Sequence, residues 1–247
     1  MISEYTKIDG IFHMRNKMKT AEEIYTEICS DTEGPVRWKK FDDGGLHMAN
    51  HFHPVSLKVA EFDFIVNYCQ AAKLTRGYEI ATAFGISSLA FGIGIKSRGG
   101  KMVTMDAYVE EVFNDAHAYE NVKNLINQDS DGLKSTQYLL DKYELAETVF
   151  PTIGWSPNDT VANIKKHIDL DNEKLDFIFV DGGHWGDQVI QDVKAVEPFI
   201  ANNATLFFHD CQCLNEATNE YLTKTFGSVP SIVVPWGPGY NLGIIKI

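Results

Sequence analysis

Two short segments carry side chains that could do chemistry together: Asp181-Gly182-Gly183-His184-Trp185 and, 28 residues on, His209-Asp210. Two carboxylates and an imidazole suit an octahedral divalent cation with positions left open for substrate oxygens. An ion held by Asp181, His209 and Asp210 would lower the pKa of a bound hydroxyl and hold it for attack. The competing reading has Asp181 capping the next helix while His209 and Asp210 make local hydrogen bonds. His184 is the best protein-borne general base, because an imidazole pKa of ~6.5 suits proton removal near neutrality. Asp181 and His184 are therefore the candidate catalytic pair. Another cluster, His47, His51 and His53, has no standard zinc spacing and reads better as the lining of an entrance. His13, His117 and His167 carry no signal.

For these groups to meet, they must sit at the ends of neighbouring strands, and the chain supplies such strands. Strand patterns at 78–82, 101–105, 148–153, 175–180 and 204–208 alternate with helical patterns at 87–96, 109–127, 135–146, 160–167, 188–200 and 214–225. Alternating β and α units imply a parallel sheet with helices on both faces. Two last strands, 231–234 and 241–247, are separated by Pro235-Trp236-Gly237-Pro238-Gly239 and read as a hairpin, so one strand should run antiparallel. The fold expected is a doubly wound, mostly parallel seven-stranded α/β sheet with an antiparallel C-terminal hairpin. Residues 1–75 read as an N-terminal helical extension or lid. It has a helix over 20–28 and another over 57–73, the latter with Leu57, Ala60, Phe64, Ile65, Tyr68, Cys69 and Ala72 on one face. Residues 76–247 form the main domain. Ligands of such sheets bind at the carboxyl ends of the strands, and those ends carry Glu79, Asp106, Ser156, Asp181 and His209-Asp210.

Glu79-Ile80-Ala81-Thr82-Ala83-Phe84-Gly85-Ile86-Ser87-Ser88 reads as a strand that breaks into a small-residue loop and runs into a helix. That geometry lays a nucleotide-like cofactor over the sheet end. A dinucleotide fingerprint wants a third glycine where the chain has Ile86. An acid followed by small residues at alternate positions, as at Glu79, Ala81, Ala83 and Gly85, fits S-adenosylmethionine instead. Thr82 and Ser87 belong to the same candidate binding loop. Glu79, ending a buried strand, needs a partner, and the methionine ammonium is a natural one. Asp106, 21 residues after Gly85, could accept both ribose hydroxyls, or be a helix cap or solvated acid. Trp155 and Ser156 follow the third strand where adenine would lie, and Trp155 either stacks on the base or plugs the core edge. Asp181 completes the candidate cofactor set.

The 247 residues carry a formal charge of −12, which argues against a phosphate-backbone partner. No apolar run approaches the ~18 residues of a membrane span. The N-terminus lacks the basic-then-apolar shape of a signal peptide, and Cys29, Cys69, Cys211 and Cys213 show no disulfide framework or zinc spacing. A cytoplasmic protein with reduced thiols is expected, with neither nucleic-acid nor membrane partner; a homo-oligomer is compatible with the sequence.

These motifs resemble class I S-adenosylmethionine-dependent methyltransferases, and among them the small-molecule O-methyltransferases of the catechol and macrolide-sugar type. The matching pieces are Glu79 through Leu89, Asp106, Phe179-Val180-Asp181-Gly182-Gly183-His184, Phe207-Phe208-His209-Asp210 and Asn241-Leu242-Gly243-Ile244-Ile245-Lys246, together covering roughly 76–247. The resemblance implies a Rossmann-like methyltransferase fold, S-adenosylmethionine as methyl donor, a small-molecule hydroxyl as acceptor, and magnesium or another divalent metal at Asp181, His209 and Asp210. Ala81 stands where the family usually has glycine, Gly183 where some relatives have an acidic base, and His209 where a carboxylate is usual. The last departure, a softer ligand, opens the site to a transition metal as well as magnesium. Three alternatives remain open: a metal-independent transferase using His184 as base, a non-catalytic adenosyl-binding domain, and, against Ile86, a nicotinamide-dependent oxidoreductase.

Overall fold

Strand and helix patterns of the sequence assemble around a seven-stranded sheet in a computed structural model. The model describes residues 19–40, 45–48, 57–108, 130–183, 187–234 and 241–247, with backbone alone at 7–8, 11–12 and 47–48. In chain order, β1 (Lys7–Ile8) pairs antiparallel with β2 (Ile11–Phe12), α1 spans Ala21–Ser30, and β3 (Trp38–Lys40) pairs antiparallel with β4 (Leu46–Met48). Helix α2 (Val59–Ala72) leads into β5 (Arg76–Ile80), α3 (Ile86–Lys96), β6 (Lys101–Asp106), α4 (Asp131–Lys142), β7 (Val149–Ile153) and α5 (Thr160–Ile164). Then come β8 (Leu175–Val180), α6 (Gln188–Val196), β9 (Ile200–Phe208), α7 (Glu216–Phe226), β10 (Ser231–Val234) and β11 (Leu242–Lys246).

Strand order across the large sheet is β10-β11-β9-β8-β5-β6-β7. Strands β9, β8, β5, β6 and β7 run parallel, and β11 runs antiparallel to both β9 and β10, so one strand is reversed as expected from the closing hairpin. The order changes direction at β5, where β8 lies on one side and β6 on the other; in such sheets this switch point is where a crevice opens.

The period-2 alternation of the strands sorts two cores. Phe177, Phe179 and Phe207 face α1, α2, α3 and α4, where Phe91 stacks on Phe177 with centroids 5.1 Å apart. Ile178, Val180, Leu206 and Phe208 face α5, α6 and α7 on the other side. Each such fully buried side chain contributes roughly 1.5–3 kcal/mol. The first core includes Ile24, Tyr25 and Ile28 of α1 and Phe62 and Ile65 of α2, so these N-terminal helices are built into one layer of the fold. Tyr25 donates its buried hydroxyl to the Leu57 carbonyl at 2.6 Å, and Tyr138 and Lys142 of α4 both bond to Asp31 just beyond α1.

Several local expectations are corrected. The 1–75 region carries two short strand pairs as well as helices. The buried face of α2 is Glu61, Phe62, Ile65, Val66 and Cys69, whereas Ala60 and Ala72 are exposed and Phe64 and Tyr68 half-buried. Helix α4 begins at Asp131 because Ser130 caps it, accepting from the Leu133 amide at 3.1 Å. Helix α6 ends at Val196, where Pro198, lacking a donor, tightens residues 197–199 into a 3-10 turn and frees Ile200 to start β9. Helix α5 stops at Ile164, and 165–168 continue as turns. The expected helix at 109–127 and the 235–239 turn lie outside the described residues. No helix among the described residues is long and apolar enough to cross a membrane.

Candidate active site

Parallel register puts the chemistry in one row. Ile80 pairs with Met105 and Val180, and Val180 with Phe208, so the residues that follow emerge side by side from the sheet end. The ladder continues past the strands: the amides of Ala81, Asp181 and His209 donate to the carbonyls of Met105, Ile80 and Val180 at 2.9, 3.3 and 3.1 Å. Asp106, Ala81, Asp181 and His209 thereby stand along one rim.

The loop after β5 is wound through left-handed backbone at Ala81 (φ 70°), Ala83 (φ 49°) and Gly85 (φ 87°). For an alanine this conformation costs about 1–2 kcal/mol, so something must hold it. Asp106 does: its Oδ2 accepts from the Ala83 amide at 2.8 Å and its Oδ1 from the Tyr108 amide at 2.6 Å, tying the loops after β5 and β6 together. Asp106 is half-buried between the two loops. Burial pushes the Asp106 carboxyl above the ordinary range against the pull of these amides. Gly85 has a second reason to be glycine, since a Cβ there would stand 2.8 Å from the Thr136 backbone of α4. Thr82 turns inward, buried and hydrogen-bonded to Thr104, so it offers only backbone to the rim.

Glu79 is fully buried; its Oε2 accepts from Ser88, while Oε1 has no hydrogen-bond partner among the described residues. Burial pushes its carboxyl up to about 7, although the nearby hydroxyls of Ser87, Ser88 and Thr104 oppose the shift. An isolated buried carboxylate oxygen costs several kcal/mol unless a donor or cation reaches it.

A cavity opens over the ends of β5, β6, β7 and β8, walled by Ala81, Asp106, Trp155, Ser156, Gly182 and Gln188 among others. Trp155 and Ser156 are half-buried in this wall, with the Trp155 amide held by Asp159 at 2.9 Å. Next to it, across the 181–183 loop, lies a carboxylate–imidazole cluster. His209 Nδ1 is 2.9 Å from Asp181 Oδ1 and 3.6 Å from Asp210 Oδ1. One ligand atom from each of Asp181, His209 and Asp210 falls within 4.8 Å of the others, so the three can hold a cation together.

Glu61 is the residue that the sequence reading missed. It is buried in the first turn of α2, its Oε2 accepts from the Lys58 amide at 3.0 Å, and its Oε1 stands 3.4 Å from His209 Nε2. Burial would lower the His209 pKa, but Asp181 and Glu61 outweigh it and raise it well above its usual value. Glu61 shares the buried face of its helix with Phe62, Ile65 and Cys69; an acid on an apolar stripe was the available signal. Gln188 and Asp192 of α6, at the cavity floor, were missed as well.

His184 and Trp185 lie outside the described residues, as do His13, His51, His53 and His117. His47 is in β4, described by its backbone alone, and His167 stacks on Phe150 at 4.4 Å rather than joining the rim.

No curated protein matches the sequence. Solved structures share the fold. A methyltransferase from Geobacter sulfurreducens superposes with a TM-score of 0.53 at 16% identity, covering 77% of this chain and 80% of its own. The O-methyltransferase TomG from Streptomyces achromogenes, solved with SAM, gives 0.54 at 13% identity, covering 78% and 82%. An O-methyltransferase from Bacillus cereus in complex with SAH gives 0.51 at 16% identity, covering 79% and 83%. A sequence-family model described as a methyltransferase domain matches residues 78–211, more than half of the chain, and the chain belongs to that family.

Proposed function

We propose that this methyltransferase moves the methyl group of S-adenosylmethionine to a hydroxyl of a small molecule. What supports this most directly is the 181–183 loop, which serves two neighbouring spaces at once. Gly182 and Gly183 wall the cavity that Asp106 borders, while Asp181 is a corner of the carboxylate–imidazole cluster. Donor and acceptor held in those two spaces would be adjacent, as direct transfer requires. TomG, solved with SAM, and the Bacillus cereus enzyme, solved with SAH, have the same fold.

The residues fit the cofactor. Glu79 Oε1, buried and without a partner among the described residues, is a receptor for an ammonium, and Asp106 keeps lone pairs for ribose hydroxyls beyond the two amides it holds. The bound sulfonium supplies the methyl group and a good leaving group. The chain's own part is to orient the acceptor, exclude water and manage the hydroxyl proton. A divalent cation held by Asp181, His209 and Asp210 would supply acidification of that hydroxyl. A second reading, metal-independent transfer, is favoured by the place of His209, whose two ring nitrogens both face carboxylates, Asp181 and Glu61. In that case His184 is the candidate base. Residues 1–75 would then cover the acceptor side, through Glu61.

Calorimetric titration of S-adenosylhomocysteine, with NAD as control, tests the cofactor. Binding of the first and not the second is expected; no binding of S-adenosylhomocysteine would overturn the proposal. Repeating the titration in chelator and then with manganese separates the two catalytic readings, since only the metal reading predicts manganese uptake that Asp210→Asn abolishes.

A further inference from the structure

The floor of the cavity holds a polar group in an otherwise largely apolar wall. Asp192 of α6 is 1% exposed, and a Cβ placed on the cavity-lining Gly182 would stand 3.5 Å from its Oδ2, so that oxygen lies at the cavity wall. Gln188 Nε2 donates to Asp192 Oδ1 at 2.8 Å and to the Ser156 carbonyl at 3.2 Å. These two bonds use both hydrogens of the Gln188 amide. The Ser156 side chain also hydrogen-bonds to the Asp192 carboxylate. Lone pairs beyond these bonds remain on Gln188 Oε1 and on the carboxylate, and these are acceptor positions. Burial pushes the Asp192 carboxyl up to about 6, against hydrogen bonding from Ser156 and Gln188, which still leaves it mostly ionised at neutral pH.

A buried carboxylate at the cavity wall favours a donor against it, and an acceptor brought there would be repelled and left unpaired. Resting on the cofactor proposed above, we infer that Asp192, aligned by Gln188, reads the exocyclic amino group of the cofactor's purine and rejects a 6-oxopurine. Adenine brings an N–H donor to that edge, whereas hypoxanthine brings a carbonyl oxygen there. The carboxylate cannot satisfy that oxygen and repels it. Asp192 is thus a specificity-determining residue rather than a catalytic one. Its position, 11 residues after Asp181, lets one strand–loop–helix unit border the acceptor cluster at one end and select the base at the other.

The test is calorimetric binding of S-adenosylhomocysteine and of its deaminated analogue S-inosylhomocysteine, which differ only at the purine edge. The wild-type chain is expected to prefer the adenosyl compound by about tenfold to a hundredfold. In Asp192→Asn, whose amide can donate to a 6-oxo group, that preference should collapse to within about threefold. Gln188→Ala, which removes the aligning amide and decides the matter if the first variant does not fold, should lose much of it. If wild type binds neither compound, the cofactor proposal itself has failed. Equal binding of both by wild type, or full preference retained in the folded variants, would overturn the role of Asp192 and leave the cofactor proposal standing.

Discussion

The two halves of the rim are built differently. The half over β5, β6 and β7 is assembled from local backbone: left-handed turns at Ala81, Ala83 and Gly85, fastened by one carboxylate that spends hydrogen bonds on two amides. The half over β8 and β9 is assembled from charged side chains, with Asp181, Asp210 and Glu61 all facing His209. Backbone geometry recognises a ligand by shape and tolerates substitution around it. A cluster of close charges is coupled, so removing one member changes all of them. The first half should therefore govern affinity for the donor, and the second turnover.

Asp210→Asn and Asp106→Asn break that comparison most directly. Replacing Asp210 removes a charge from the cluster and should lower methyl transfer about a hundredfold or more, with S-adenosylhomocysteine affinity changed less than about threefold. Replacing Asp106 should do the opposite. Its ribose bonds and its hold on Ala83 are both weakened, so affinity should fall about 10- to 100-fold. Single-turnover transfer at saturating donor, set beside calorimetric affinity, separates the two effects. Parallel losses in both variants would show that the halves do not divide the work.

The next expected effect is a pH dependence confined to the donor half. Free Glu79 has its carboxyl pushed up to about 7 by burial, above the unfolded value near 4.5. The folded state therefore holds the extra proton between these values. The stability associated with it is fully present below about 4.5 and is lost as pH rises through about 7, a change on the order of 3 kcal/mol. A bound ammonium reverses the preference by favouring the ionised carboxylate, so binding should release a proton and tighten roughly tenfold from about pH 5.5 to about pH 7. Calorimetry in buffers of different ionisation enthalpy counts the proton. A Glu79→Gln variant should bind more weakly and show a flat profile; a wild-type profile equally flat would detach Glu79 from the ammonium.

The same division explains what could be read from the sequence. The half proposed to hold the donor lies within contiguous segments, so the pattern from Glu79 to Ser88 and the strand-end positions of Asp106 and Asp181 already put those residues along one rim. The mostly parallel sheet followed from alternating β and α units, and the reversed strand from the Gly/Pro stretch at 235–239. The acceptor half depends on Glu61, brought 148 positions along the chain to His209 by the packing of α2 on the sheet. Its i, i+3 spacing from Lys58 looks like an ordinary helix start, and only its place on the buried face sets it apart. Asp192 is hidden for a similar reason, because α6 buries Val189, Val193 and Val196 along its apolar face and an acid between them looks, in sequence, like a solvated one. That the Thr82 side chain turns inward to Thr104 could not be read from its place in the loop, since sequence position does not say which way a side chain turns.

Smallest in effect, and a test of the backbone half alone, is relief of its strain. Ala81 and Ala83 occupy left-handed conformations that favour glycine, and so does Asp210 in the other half, at φ 51°. The three are not equivalent. Aspartate is among the residues that tolerate this region because its short side chain can bond locally, whereas alanine has no such compensation. Ala81→Gly recovers about 1–2 kcal/mol of steric cost but gives back about 0.5–1 kcal/mol in backbone entropy. A net gain of roughly 0.5–1 kcal/mol corresponds to a rise in Tm of about 1–4 °C for a chain of this size. The substitution also removes a methyl from the cavity wall, so donor affinity should stay level or improve slightly. Asp210→Gly, by contrast, relieves little and deletes a member of the charge cluster. If Ala81→Gly lowered Tm instead, the Asp106 clasp would already compensate the left-handed turn, and the strain attributed to the donor half would not be stored there.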